Sequence, residues 1–429
     1  MPNYRDPLDK NLYPVYKTQT CSGRPLEVTY ANTPGVDAFG RSRIAQPFTL
    51  FDSSHRYQDN GLWATATGVG SDATFNADAG LVELNVPTTS GGSVIRETKE
   101  VFSYQPGKSL LVMSTFVMSP AKTNLRQRVG YFGSQNGLYL QLSGSTLSFV
   151  ERSSVTGSVT ETVVNQEDWS EDRLDGNGQS GITLDITKAQ ILWMDIEWLG
   201  LGTVRMGFVI DGKFVHCHSF HHANLVTSTY ITTASLPLRY EIENLDTTSG
   251  ASTLKQVCST VISEGGYELR GKQSAIGTPI SAAYDLTATG VQYPVASIRL
   301  KSSPNRLDAI VIPTAVSLAG IGNNAYFEWR LVQGGTTSGG TWTSAGSGSA
   351  VEYNLSGASI SGGTTLSKGY LSSTTQSSNQ IDILKNALFQ FQLRRDTLNN
   401  TVEEFSIVVQ TKVAGDDIYA SIDWEEISR

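Results

Sequence analysis

A short turn signal, Asp211-Gly212, constrains this chain more than any other feature. It lies between two runs of strict period-two alternation. Before it, Val204, Met206, Phe208 and Ile210 alternate with Arg205, Gly207 and Val209. Earlier still, Leu192, Met194, Ile196 and Trp198 alternate with Trp193, Asp195 and Glu197. Successive residues of a strand face opposite ways, so each run has one apolar face and one mixed face. Asp-Gly accepts the positive φ angles of a type I′ turn and predicts a two-residue hairpin. That loop length fixes a register of Ile210 with Lys213, Phe208 with Val215 and Met206 with Cys217. The same register puts His216 and His218 on the opposite face, with His218 across from Arg205. One face is then core, and the other is the polar, aromatic-ringed floor of a groove.

The rest of the chain repeats this pattern in weaker form. Residues 1–45 carry scattered prolines and no period, which predicts an extended arm. From Gln46, short β-runs follow one another: Phe48–Phe51, Leu81–Val86, Val94–Tyr104, Ser109–Met118, Arg128–Gly133, Leu138–Leu142, Thr146–Glu151, Ser158–Val164, Leu238–Glu243 and Leu254–Ser263. About a dozen strands without a convincing helix predict a large antiparallel sandwich over 46–265. Residues 266–277 read as a linker, and 278–429 as a second, smaller β-rich domain. Its strands are predicted at Val295–Lys301, Leu307–Ile312, Ala325–Val332, Ala350–Leu355, Phe389–Arg394, Glu404–Lys412 and Ile418–Glu425. Gly334–Ser349 reads as a long exposed loop, and Ile381–Phe389 as one short helix.

Composition narrows the class. Charged residues make up 17% of 429, and the formal net charge is −8. A nucleic-acid-coating protein needs a basic face, so that role is disfavoured. Three widely spaced cysteines, Cys21, Cys217 and Cys258, give neither a disulfide framework nor a zinc ribbon. The first residues lack the charged-then-apolar pattern of a signal peptide, and no run of 18 apolar residues exists, so membrane insertion is not expected. Synthesis and folding in a host cytoplasm follow as the expectation. No Walker loop, dinucleotide fingerprint or Cys-x-x-Cys occurs.

Three segments together resemble a module in virion structural proteins of tailed bacteriophages. They are Arg128-Val129-Gly130-Tyr131-Phe132, the run Asp168–Gly176, and the stretch from Ile196 to Asn224. The junction from Phe39-Gly40-Arg41 to Leu50-Phe51-Asp52 fits the same resemblance. It implies an all-β fold with an N-terminal arm, a jelly-roll β-sandwich like that of concanavalin A, and a β-rich C-terminal domain. It also implies a place on the virion, assembly with copies of itself as a trimer, contacts with other virion proteins through the arm, and no enzymatic activity. Host surface glycans are the alternative partner, held in the jelly-roll groove.

Candidate groups were weighed on that basis. Trp193-Met194-Asp195-Ile196-Glu197 resembles the Glu-x-Asp-x-Glu strand of retaining glucanases, in which the first Glu is the nucleophile and the last the acid/base. Here Trp193 stands at the nucleophile position. Asp195 and Glu197, about 6–7 Å apart by strand rise, read as partners of Arg205 on the next strand. Trp193, Asp195, Glu197, Arg205, Phe214, His216 and His218 are the candidate carbohydrate-binding set, with Tyr131 a further ring for the same platform. An H-x-H pair suits zinc, but Arg205 nearby opposes a cation. Asp172, Asp175 and Asn177 form an acidic, Gly-rich loop whose oxygens match calcium as a cofactor, although the spacing is not that of an EF-hand.

Overall fold

The computed structural model describes residues 46–268, 270–303, 309–374, 379–382 and 391–428. The expected arm (1–45) and most of the expected helix lie outside the described residues. Its first two positions, Ile381 and Asp382, belong instead to a strand. Among the described residues, regular structure is strand apart from short 3-10 turns, and every named pairing is antiparallel. Among them no helix is long and apolar enough to cross a membrane.

The first half forms two sheets. One runs, edge to edge, β13 (Lys213–Phe220), β12 (Val204–Ile210), β11 (Gln190–Ile196), β6 (Leu110–Val117), β15 (Ser252–Ser263), β4 (Leu81–Val86) and β3 (Asp72–Asn76), with β1 (Phe48–Ser54) beside β15. The other runs β10 (Thr160–Asn165), β9 (Thr146–Ser153), β8 (Gly137–Ser143), β7 (Leu125–Phe132), β14 (Leu238–Asn244), β5 (Ser93–Thr98) and β2 (Trp63–Thr67). The chain changes sheet between β1 and β2, β2 and β3, β4 and β5, β5 and β6, β6 and β7, β10 and β11, β13 and β14, and β14 and β15. These crossings give the antiparallel sandwich that the alternation predicted and the jelly roll that the resemblance implied.

Between the sheets, Val112, Phe116, Leu192, Met194, Met206 and Phe208 meet Val129, Leu138, Leu140, Phe149, Tyr240 and Ile242 in one core. A fully buried side chain of this size contributes about 1.5–3 kcal/mol before the entropy of ordering is counted. Trp169 plugs one end, stacked on Phe149 at 4.3 Å.

β2 and β3 were not foreseen. Their sequence, WATATGVGSDATFN, is short, small and Gly-broken, and neighbouring strands stabilise them more than propensity does. The predicted Val94–Tyr104 strand stops at Thr98. The expected linker is in part a strand: β16 (Lys272–Gly277) pairs with β28 (Asp416–Ser428). Its polar sequence hides this, because an edge strand needs backbone partners more than apolar side chains.

The second half is built the same way. β16, β28, β19 (Ile310–Ile321) and β24 (Asn379–Asp382) make one sheet, to which β17 (Tyr284–Leu286) adds. The other holds β21 (Thr343–Ser344), β22 (Val351–Asn354), β18 (Tyr293–Leu300), β27 (Glu404–Thr411), β20 (Tyr326–Ser338) and β23 (Ser359–Ser372). β20 runs on through Gly334 and Gly335 to Ser338, so the predicted Gly334–Ser349 loop begins as strand, and Thr343–Ser344 add a short one within it. Phe391–Arg394 is not strand; the short ladder Arg395–Asp396 with Thr401–Val402 follows it. A second core gathers Ile298, Ile312, Phe327, Phe405, Ile422 and Trp424, and takes Val101 from the first half. Pro47–Arg429 form one compact unit.

Candidate functional site

β11 and β12 present the mixed face as expected. Asp195 lies directly across from Arg205, and Trp193 across from Gly207. The Arg205 guanidinium binds the Asp195 carboxylate. Asp195 is buried while Arg205 is exposed. Burial pushes the Asp195 carboxyl above the usual range; hydrogen bonding and charge from Arg205 pull it back only in part, and Glu264 and Glu197 add to the rise. Glu197 is exposed and takes the Thr203 N–H at 3.3 Å. These groups, with Tyr104, Lys108, Ser109 and Leu199, wall a small cavity of about 320 Å³ at one end of the face.

Trp193 is 5% exposed. Its indole lies over Gly207, where a Cβ would come within 3.0 Å of Nε1, and its N–H donates to the Val215 carbonyl at 3.3 Å. Phe214 meets it edge-on at 5.5 Å, and His216 lies 5.8 Å away. The indole is therefore packing. The rings and aliphatic groups that reach solvent here are Phe214, 55% exposed, and Ile191. Tyr131 is not part of this surface. It belongs to the other sheet and is fully buried, its hydroxyl donating to Ala234 O at 2.7 Å.

The register differs from expectation beyond the first four pairs. Asp211 (φ 51°) and Gly212 (φ 73°) make the turn, and Ile210 pairs with Lys213 and Phe208 with Val215. A bulge then intervenes, so that Met206 pairs with His218 and Arg205 with Ser219. Cys217 is the extra residue, and it points into the core. His216 stays on the groove face, its Nε2 3.0 Å from Ser219 Oγ. His218 turns to the side of Phe220, edge-on at 4.6 Å, and its Nδ1 accepts the Ser170 N–H at 3.2 Å. Burial, with the charges of His216 and His221, holds its pKa down at about 4. Burial also lowers that of His216, against an opposing effect of Glu171. Both rings are neutral near neutral pH and do not converge. The H-x-H spacing looked like a metal pair only because one inserted residue cannot be seen in an alternating pattern.

The acidic loop is organised by its own backbone. Asp172 is buried; its Oδ1 accepts the Leu174 N–H at 2.9 Å and its Oδ2 the Ser180 N–H at 2.7 Å. Burial raises its carboxyl, and these amide bonds more than reverse that, leaving it below the usual range. Asp175 caps a local turn through the Asn177 N–H at 2.8 Å. The three residues are not brought together as a ligand set. Among the described residues no group of three or more His, Cys, Asp or Glu could hold a metal ion.

No family model matches the chain, and no curated protein matches it. Solved structures similar to it include a β-glucanase of Bacillus licheniformis, at 12% identity and TM-score 0.33 over 49% of this chain and 96% of that one. A carbohydrate esterase from the Shiga toxin-encoding bacteriophage phi24B gives 12% and 0.30, over 51% and 99%. A β-1,3-glucanase of Mycobacterium marinum gives 8% and 0.35, over 50% and 98%. Likeness at this level carries no argument about chemistry.

Proposed function

We propose that the chain is a non-enzymatic structural protein of a tailed-bacteriophage virion, a stiff β-scaffold that assembles as a symmetric oligomer, with a trimer as the expected form. One observation carries the non-enzymatic part. Where a retaining glucanase needs its nucleophile, Trp193 lies packed on Gly207, and the next carboxylate, Asp195, is tied to Arg205. Two free carboxyl groups flanking a bond are what that mechanism requires. Glu197 alone does not supply them. The virion assignment rests on the resemblance in sequence. Immunogold labelling of particles, with the mass of the purified chain in solution, tests it. A monomer absent from every particle overturns it, as does β-glucan hydrolysis that Glu197→Gln abolishes.

A second reading, a glycan-binding host-attachment protein, is favoured by the exposed Phe214 ring on the same groove face as His216 and, further along β12, Arg205. A sugar face stacks on such a ring and its hydroxyls reach the polar neighbours. Phe214→Ala is the cleaner probe, since Trp193 is buried and its loss would disturb packing. Binding to host polysaccharide is expected to weaken at least about ten-fold, equivalent to about 1.4 kcal/mol. Unchanged binding, or none in the parent protein, rejects this reading.

A further inference from the structure

The segment 221–237 leaves β13 and enters β14 without regular structure, and a buried histidine anchors its first part. His222 is 4% exposed. Its Nε2 lies 2.7 Å from a carboxylate oxygen of Glu151 on β9. Its Nδ1 lies 2.6 Å from the carbonyl oxygen of Gly202, in the turn between β11 and β12. A carbonyl and a carboxylate only accept hydrogen bonds. A neutral imidazole has a single N–H and can satisfy one of them. Both contacts at these lengths call for a proton on each nitrogen, an imidazolium balanced by Glu151. The Tyr230 ring lies flat on it, 3.8 Å away and 7° from parallel, where a cation is attracted.

The same residue organises the backbone around it. Its carbonyl accepts the N–H groups of Leu225 (2.9 Å) and Val226 (3.1 Å), and Tyr230 N–H reaches Gly200 O at 3.0 Å. The groups with ionisable character facing it are Glu151 from β9 and Tyr230 from its own segment. Around Tyr230 stand Glu197 at the end of β11, Tyr104 and Tyr131. His221, next in the chain, sits 3.4 Å from Thr203 Oγ1.

We propose that Glu151 and His222 form a pH-operated latch, which when protonated clamps the first part of the segment, residues 221–230, to the β11–β12 turn and when deprotonated releases both. The turn supplies Leu199 and Thr203 to the cavity beside Asp195. Beyond Tyr230 the segment is held separately, the Thr232 N–H donating to Asn136 Oδ1 at 3.1 Å and the Leu236 N–H to the Tyr131 hydroxyl at 3.1 Å. Opening the latch therefore loosens one end of the groove, whatever the groove holds. Exposed Leu199, Leu201, Leu225 and Val226 ride on these two loops. Burial lowers the His222 pKa, but hydrogen bonding and charge from Glu151 outweigh it and leave it above the ordinary histidine value. A raised folded value means the stabilisation is complete below the unfolded pKa, about 6.5, and is lost as pH rises through the folded one.

The test uses the full chain with isotope-labelled histidine, His222 being assigned by comparison with His222→Gln. Both His222 ring nitrogens are expected to be protonated at about pH 6.5, and the titration to fall below the ordinary value in Glu151→Gln, which keeps the size of the side chain. Hydrogen-exchange protection of Leu225, Val226 and Tyr230, corrected for the intrinsic rate, is expected to drop about ten-fold or more through that titration, while β11 stays protected. A single protonated nitrogen in the parent protein at about pH 6 overturns the proposal. Protection that does not follow the titration overturns it equally. Both readings are made on the unsubstituted chain, so the outcome stands even if Glu151→Gln fails to fold.

Discussion

Asp195 shows how far one side chain's neighbours can separate likeness of sequence from likeness of chemistry. Its carboxyl is buried and its partner, Arg205, is mostly in water. Solvent screening limits what such a partner returns, so desolvation wins and the acid form is favoured. A carboxyl with a raised folded pKa stabilises the fold most below its unfolded value, and this is lost as pH rises through the folded value. Asp195→Asn, which resembles the protonated acid, is therefore expected to be neutral or stabilising by up to about 1 kcal/mol at neutral pH. The gain should shrink toward about pH 4, near the unfolded value. Urea midpoints at the two pH values check this, and a loss of stability confined to neutral pH contradicts it.

Among the elements, β13 matters most because it breaks its own alternation. The two-residue turn fixed its first pairs from sequence alone, and a strict ladder would have continued with Met206 opposite Cys217. The bulge instead pairs Met206 with His218 while the Cys217 thiol still lies in the core, and burial pushes its pKa far up. Cys258 is exposed. A thiol reagent acts on the accessible thiolate. Cys258→Ser is thus expected to lower the number of reactive thiols in the native protein by one, and Cys217→Ser to leave it unchanged. A count that falls with Cys217→Ser would mean that the Cys217 thiol is not held in the core.

For the whole molecule, the decisive feature is how the two halves are joined. Glu97, at the end of β5, is buried and bonds Arg239 at 3.1 Å and Arg395 at 3.3 Å; the Thr397 hydroxyl donates to it as well. Lys99 pairs with Glu403 at 2.6 Å, and Arg394 with Glu100 at 2.7 Å. Gln392 Nε2 donates to Val101 O at 3.1 Å. This is why the strand predicted through Tyr104 ends early: residues 99–101 bind the other half instead. Glu97→Gln removes a carboxylate that two guanidiniums share, and a broken buried pair costs about 3–5 kcal/mol. The halves are expected to unfold in two steps in this variant, with one transition in the parent chain. Matching single transitions in both would show that the junction contributes little.

The alternation of Leu192, Met194, Val204, Met206 and Phe208, with the Asp211-Gly212 turn, was enough to determine an all-strand sandwich, its core face and the first hairpin pairs. Those are consequences of period and local backbone preference, which are written along the chain. What only the tertiary structure decided depends on one-residue insertions and on partners distant in sequence: the bulge that separates His216 from His218, the Gly207 floor that lets Trp193 lie flat, the burial that raises Asp195, and the 71-residue separation over which Glu151 meets His222. Neither a register slip nor desolvation leaves a mark in spacing, because both arise only when strands far apart in sequence are laid side by side.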